Sequence, residues 1–183
     1  MSIAVGVMGS AGDAAGVSNK EALAEKANAL ALALARKGEL LLLTGATTGI
    51  VYVVGKTAHE AGIFHLGISP ADDSHEHVER FSLPLDACDL IVYTGFGLKG
   101  RNVVLVRSCD IVLFIAGAMG SLNEFTIAHD EGKVIGCLTG TGGVADEVDY
   151  LLNKFSKNTG ARIFQDEDPV KLVDACLEEL QSR

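Results

Sequence analysis

Three prolines, four cysteines and an excess of acidic over basic side chains (24 against 15) set the first bounds on this 183-residue chain. A formal net charge of −9 leaves no broad basic surface for nucleic acid or for an anionic membrane, both of which recruit Lys and Arg. It does not exclude a nucleotide, which a few backbone amides and one arginine hold locally. Cys88, Cys109, Cys137 and Cys176 form no C-x-x-C pair and read as reduced thiols of a cytoplasmic protein. The longest apolar run is interrupted by Lys26, Asn28 and Arg36, so no segment is expected to span a bilayer. Residues 3–8 lack a basic leader and are too short for a secretory signal.

What is present is glycine, 21 of them, and a regular alternation of apolar runs with amphipathic stretches. With 48% hydrophobic and 21% charged residues, the composition is globular, and the length suits one domain over residues 1–183. Strands are expected at residues 3–8, 40–44, 64–68, 90–93, 111–115, 134–138 and 162–164. Helices are expected at 18–37, 49–61, 121–131, 144–155 and 169–181. Ser18 with Glu21 reads as a capping box, and Asp168 with Pro169 as an N-cap and first helical residue. Near-continuous apolar strands joined by helices imply a three-layer, Rossmann-like α/β sandwich around a mainly parallel sheet of about seven strands. Ligands bind beyond the carboxyl ends of such strands, where three glycine-rich turns fall, at residues 9–16, 45–49 and 117–120. The irregular stretch at 69–87, with His75 and His77, reads as a loop over the site or at a dimer contact, and as the source of contacts to a ligand's ring.

The segment from Arg101 to Phe125 carries the most chemistry. The strand at 111–115 runs into Ala116-Gly117-Ala118-Met119-Gly120, and Ser121 and Glu124 open a helix. A strand-to-helix turn of small residues leaves backbone N–H groups uncovered at the positive end of a helix dipole, a cradle for an anion. Glu124 stands in that helix, and Arg101 starts the segment that feeds the strand. Glu124 has two readings, a catalytic carboxylate or the far member of a Ser121–Glu124 capping box. Gly95 to Gly100 matches G-x-G-x-x-G, but it follows the fourth strand and no acid stands about twenty residues on to hold a ribose. It reads instead as a flexible loop positioning Arg101. His75 and His77 lack a third ligand at metal spacing and read as solvated or interfacial, so no metal and no redox cofactor are expected. Gly120-Ser121-Leu122 lacks the closing glycine of a hydrolase nucleophile elbow.

These residues resemble the Lonely Guy (LOG) family of cytokinin-activating phosphoribohydrolases and its wider superfamily of Rossmann-like nucleotide-binding proteins, which includes molybdenum-cofactor carriers. The signature P-G-G-x-G-T-x-x-E is matched by Ala116-Gly117-Ala118-Met119-Gly120-Ser121-Leu122-Asn123-Glu124, with Arg101 at the position of the upstream arginine and Asn102 in place of the lysine after it. Thr44-Gly45-Ala46-Thr47-Thr48-Gly49-Ile50-Val51 echoes G-G-G-x-x-G-L-M, and Val7-Met8-Gly9-Ser10 the first-strand turn. The resemblance implies Arg101 and Glu124 as catalytic residues. It implies a phosphate or nucleotide held by Gly9, Ser10, Gly45, Thr47, Thr48, Gly49, Gly117, Ala118, Met119, Gly120 and Ser121, in a homodimer or higher homo-oligomer. Two functions follow from it. One is hydrolysis of the N-glycosidic bond of a nucleoside 5′-monophosphate, releasing base and ribose 5-phosphate; the other is a non-catalytic carrier or sensor of a nucleotide or molybdopterin-type phosphate ligand.

Overall fold

A computed structural model describes residues 2–10, 19–155 and 157–183. Seven strands form one all-parallel sheet: β1 (Ile3–Gly9), β2 (Leu40–Thr44), β3 (Phe64–Ser69), β4 (Leu90–Tyr93), β5 (Ile111–Ile115), β6 (Val134–Leu138) and β7 (Arg162–Asp166), in the order β4-β3-β2-β1-β5-β6-β7. The chain lays β1 to β4 outward in one direction, then returns to the other side of β1 with β5. The strand order therefore reverses between β1 and β5, where Gly9 pairs in register with Ile115. In open parallel sheets that reversal is where the two flanking connections diverge and leave a crevice.

Helices cover both faces, which is why the central strands are apolar on both sides. On one face α1 (Lys20–Ala35) packs against α2 (Ile50–Glu60) and α7 (Pro169–Ser182), burying Leu23, Leu30, Leu34, Val54 and Val173 over Val5, Val7, Leu42 and Leu113. On the other face Leu105 and Val106 of α4 (Gly97–Arg107), Phe125 and Ala128 of α5 (Met119–Asp130) and Val148 of α6 (Val148–Phe155) bury Met8, Leu43, Val112, Phe114 and Cys137. Burial of that order, at about 25 cal/mol per Å² of apolar surface, holds such a sandwich together.

Several local expectations are corrected. Helix α1 starts at Lys20 with Asn19 as its cap, the Asn19 side chain accepting from Ala22 N at 3.0 Å; Ser18 and residues 11–16 of the first glycine turn lie outside the described residues. The stretch at 69–87 contains a short helix, α3 (Ser74–Glu79), capped by Asp73, which accepts from Glu76 N at 2.8 Å. His77 is neither solvated nor interfacial. It is fully buried, its Nδ1 is 2.8 Å from Ser69 Oγ, and its Nε2 donates to the Pro84 carbonyl at 3.1 Å. The helix expected at 144–155 is divided into a 3-10 turn, Gly143–Asp146, and α6. Gly97 to Gly100 of the G-x-G-x-x-G stretch form the first turn of α4 rather than a loop, so Arg101 sits on a helix. Among the described residues no helix is long and apolar enough to cross a membrane.

Candidate functional site

At the reversal, the end of β5 is tied to the end of β1 and to the turn after β6. Gly117 N donates to Ser10 Oγ at 3.2 Å, and Ala116 N donates to Thr141 Oγ1 at 2.8 Å. The turn is left-handed at both Ala116 (φ 52°) and Gly117 (φ 109°). Proline, locked near φ −65°, cannot occupy the Ala116 position in this conformation, so the departure from the family signature there is required by the backbone. A Cβ on Gly117 would lie 2.7 Å from Ser121 Cβ, which makes glycine obligatory at the tightest point of the turn.

Helix α5 begins at Met119 with Ala118 at its N-cap, and no side chain caps it. Ser121 is thus the third helical residue rather than the cap, and the capping-box reading of Ser121 with Glu124 is overturned. Glu124 is buried in the second turn, 6% exposed. The early N–H groups of α5 have no partner one turn back, and they head a cavity of about 240 Å³ lined by Ala118, Gly120, Ser121 and Glu124 from this segment.

The opposite wall comes from β1, the turn after β2, α2 and α4. Gly9 and Ser10 close β1, Gly45 and Thr47 follow β2, and Leu98, Lys99, Arg101 and Asn102 come from α4; Val7, Met8 and Val51 supply apolar lining. Arg101 and Glu124 approach within 3.7 Å between Nη1 and Oε1, close enough to attract but too far for a hydrogen bond. Arg101 Nε and Nη1 are buried with no hydrogen-bond partner. The guanidinium rests on Gly45, where a Cβ would come closer than 3.0 Å to Nη1, Cζ and Nη2. Asn102 faces the Leu98 carbonyl and Glu124; with its nitrogen turned toward them, Nδ2 lies 3.0 Å and 3.1 Å from the two oxygens.

Burial governs the charges here. It pushes the Glu124 carboxyl up to about 7, against the opposing pull of Arg101 and then Lys99. Burial also lowers the Arg101 guanidinium, with Glu124 opposing. Lys99 has no ion-pair partner among the described residues, and its Nζ lies 3.3 Å from where a Cβ on Gly120 would stand. The cleft is therefore a cationic corner in an acidic chain.

The turn carrying Gly45 is itself held from behind. Thr44 Oγ1 accepts from Ala46 N at 3.1 Å and gives its proton to His65 Nε2 at 2.8 Å, while His65 Nδ1 donates to the Ala87 carbonyl. The end of β3 repeats the device: Ser69 Oγ accepts from Ala71 N at 3.1 Å and bonds His77 Nδ1. Burial lowers the His65 pKa, as its role as a neutral acceptor requires.

Of the residues anticipated at the site, Gly9, Ser10, Gly45, Thr47, Arg101, Ala118, Gly120, Ser121 and Glu124 line the cavity. Thr48 is exposed, Gly49 (φ 76°) is the N-cap of α2, Gly117 is not among the lining residues and spends its N–H on Ser10, and the Met119 side chain is 75% exposed. No residue of the 69–87 stretch is among the lining residues described. Leu98, Lys99 and Val51 were not anticipated, and Asn102 stood out only as a departure from the LOG lysine. The signal for Lys99 was a cation two residues before the key arginine.

The model of the SLOG cluster4 family matches residues 2–173. An uncharacterised protein of Archaeoglobus fulgidus is 30% identical over 105 residues, 57% of this chain, and the chain covers 63% of that relative's length. The solved structure of TM1055 is similar over 97% of this chain and 99% of its own, at 27% identity and a TM-score of 0.81. The molybdenum cofactor carrier protein of Chlamydomonas reinhardtii shares the fold over the whole of both chains, at 22% identity and a TM-score of 0.76.

Proposed function

We propose, for a chain that belongs to the SLOG cluster4 family, that the cleft between β1 and β5 binds a phosphate-bearing small molecule and that the protein carries or senses it. One observation supports this above the rest: a cationic side chain, 6% exposed, has two N–H-bearing nitrogens without a hydrogen-bond partner on the wall of a cavity headed by an uncapped helix. Leaving buried charged donors unmet costs more than the 1–3 kcal/mol typical of a neutral group, and an oxyanion lying against Arg101 and α5 repays that cost. The ligand is a nucleotide or a pterin phosphate. The pterin choice draws on the fold shared with the Chlamydomonas carrier.

A second reading draws on Glu124. A carboxyl poised near neutrality beside the anion pocket has the properties of an acid–base group. Cleavage of the N-glycosidic bond of a nucleoside 5′-monophosphate passes through an oxocarbenium-like sugar. Glu124 would stabilise that charge and activate water, and Arg101 would orient the sugar or polarise the departing base.

Turnover separates the two. Purified protein is titrated calorimetrically with AMP and inorganic phosphate, and incubated with a panel of nucleoside monophosphates while free base is followed. Binding without release of base, lost in Arg101→Ala, is the expected result for the carrier. Release of base by wild type but not by Glu124→Gln establishes the hydrolase instead. No binding of either anion overturns both readings.

The assembly belongs to the same proposal. Phe64, Leu90, Val92, Phe96 and Val103 are exposed along the β3–β4 edge and the outer side of α4, and an apolar face of this kind marks a surface that another chain covers. A second copy is the occupant proposed. Leu98, 49% exposed, lines the cavity from the same helix, so an interface formed on this face would lie beside the pocket.

A further inference from the structure

An oxyanion that lies against Arg101 and the head of α5 meets a group already there. Glu124 Oε1 stands 3.7 Å from Arg101 Nη1, and both line the cavity. Two anions competing for one buried guanidinium is a costly arrangement, and the ordinary resolution is that one of them takes a proton. The surroundings decide which. The charged or titratable groups facing Glu124 among the described residues are Arg101 and Lys99 of α4 and the thiol of Cys109 before β5. The Arg101 guanidinium does not lose its proton in proteins, and burial pushes the Cys109 thiol up to about 12, which keeps it neutral. The ends of β1 and β2 present Gly9, Ser10 and Gly45, none of which titrates. Asn102 places a neutral amide against Glu124 rather than a second cation, so the only positive charges that hold the carboxyl in its charged form are those of Arg101 and the more distant Lys99.

We infer that the cleft takes up its oxyanion together with one proton, which lodges on Glu124. The inference rests on the reading of the cleft as an anion site and adds to it a stoichiometry and a preference. Once Glu124 is protonated, its O–H joins the guanidinium, the α5 amides and the Ser121 hydroxyl as donors. A site made of donors favours a group whose rim is entirely acceptor oxygens, a fully ionised phosphate monoester or a sulfate, over one that carries its own hydrogen. The position of the free carboxyl near neutrality means that little pH change is needed to supply the proton.

Sulfate is the probe, because it remains a dianion throughout the range where Glu124 titrates. Its binding to the wild-type protein is measured calorimetrically from about pH 6 to 9, in buffers of different ionisation enthalpy. The expected result is an association constant that falls by up to roughly tenfold per pH unit above neutrality, with close to one proton taken up per sulfate at the alkaline end. Glu124→Gln should bind sulfate without proton uptake, with a flat pH profile, and more tightly than wild type at alkaline pH. Should that variant fail to fold, the wild-type proton count and the appearance of a protonated-carboxyl infrared band on adding sulfate decide the matter. Sulfate binding of constant affinity with no proton uptake overturns the inference and leaves the anion site standing. Absence of binding by sulfate, inorganic phosphate and AMP alike removes the site and the inference together.

Discussion

Arg101 is seated on Gly45: the guanidinium occupies the volume that any side chain at position 45 would need. The two residues lie 56 positions apart and come from different elements, α4 and the turn after β2. Gly45→Ala displaces the tip of a flexible side chain and not backbone, and the Gly45 φ is not positive. Stability should therefore change by less than about 1 kcal/mol, while AMP or sulfate affinity drops by an order of magnitude or more. Calorimetric titration beside a denaturation curve tests both halves.

Glu124 should also leave a mark on stability. Its folded pKa, near 7, lies above the unfolded value of 4.5. Between those values the native state holds more protons than the unfolded chain, so its contribution is complete below about pH 4.5 and is lost as pH rises through 7. Wild type should lose roughly 3 kcal/mol relative to Glu124→Gln across that window. Urea denaturation of both proteins at about pH 4.5 and 8 measures the difference, and parallel profiles would refute it.

Thr44 and His65 support the turn that seats Arg101. Thr44→Val removes the acceptor of Ala46 N and the donor to His65 Nε2, leaving buried groups unmet at a cost of about 1–3 kcal/mol. The expected outcome is a lowered midpoint in denaturant and weaker sulfate binding. Because the folded His65 pKa is depressed, the native state takes up fewer protons than the unfolded chain once pH falls below the unfolded histidine value. The contribution of His65 is thus full above that value and is lost as pH falls. A His65→Gln variant should show a smaller acid-side loss than wild type.

The proposed assembly has a direct check. Leu90→Lys with Phe96→Ser puts charge and polarity onto the apolar edge, at residues 53% and 67% exposed. Light scattering coupled to gel filtration should report a dimer or larger species for wild type and a monomer for the double variant, with its far-UV spectrum unchanged. Equal masses for the two would dismiss this face as the interface.

Much of this architecture could be read directly from the residues. Runs such as Ile111–Ile115 and Val134–Leu138 are buried on both sides, and a strand of that kind leaves an unambiguous apolar signature. Asp168 and Pro169 marked the start of α7 for the same local reason, a side chain accepting from Val170 N at 2.9 Å. The failures have physical causes too. Gly97 and Gly100 are poor helix formers, and they hid the first turn of α4, so Arg101 read as loop-borne. Helix α3 offers six residues, five of them polar, whose one buried member, His77, looks hydrophilic by type. Starting α5 at Ser121 instead of Met119 is a shift of two residues, yet it alone made the capping-box reading of Glu124 possible beside the catalytic one. The convergence of Lys99, Arg101 and Asn102 on the head of α5 depends on a sheet order that no local pattern encodes.

The bare amino end of α5 has one more consequence. Since no side chain finishes that helix, an anion bound as proposed would do so in its place and become part of the secondary structure. Loaded and empty molecules then differ in durability, and the amides of Met119 to Ser121 report occupancy through the slowing of their hydrogen exchange.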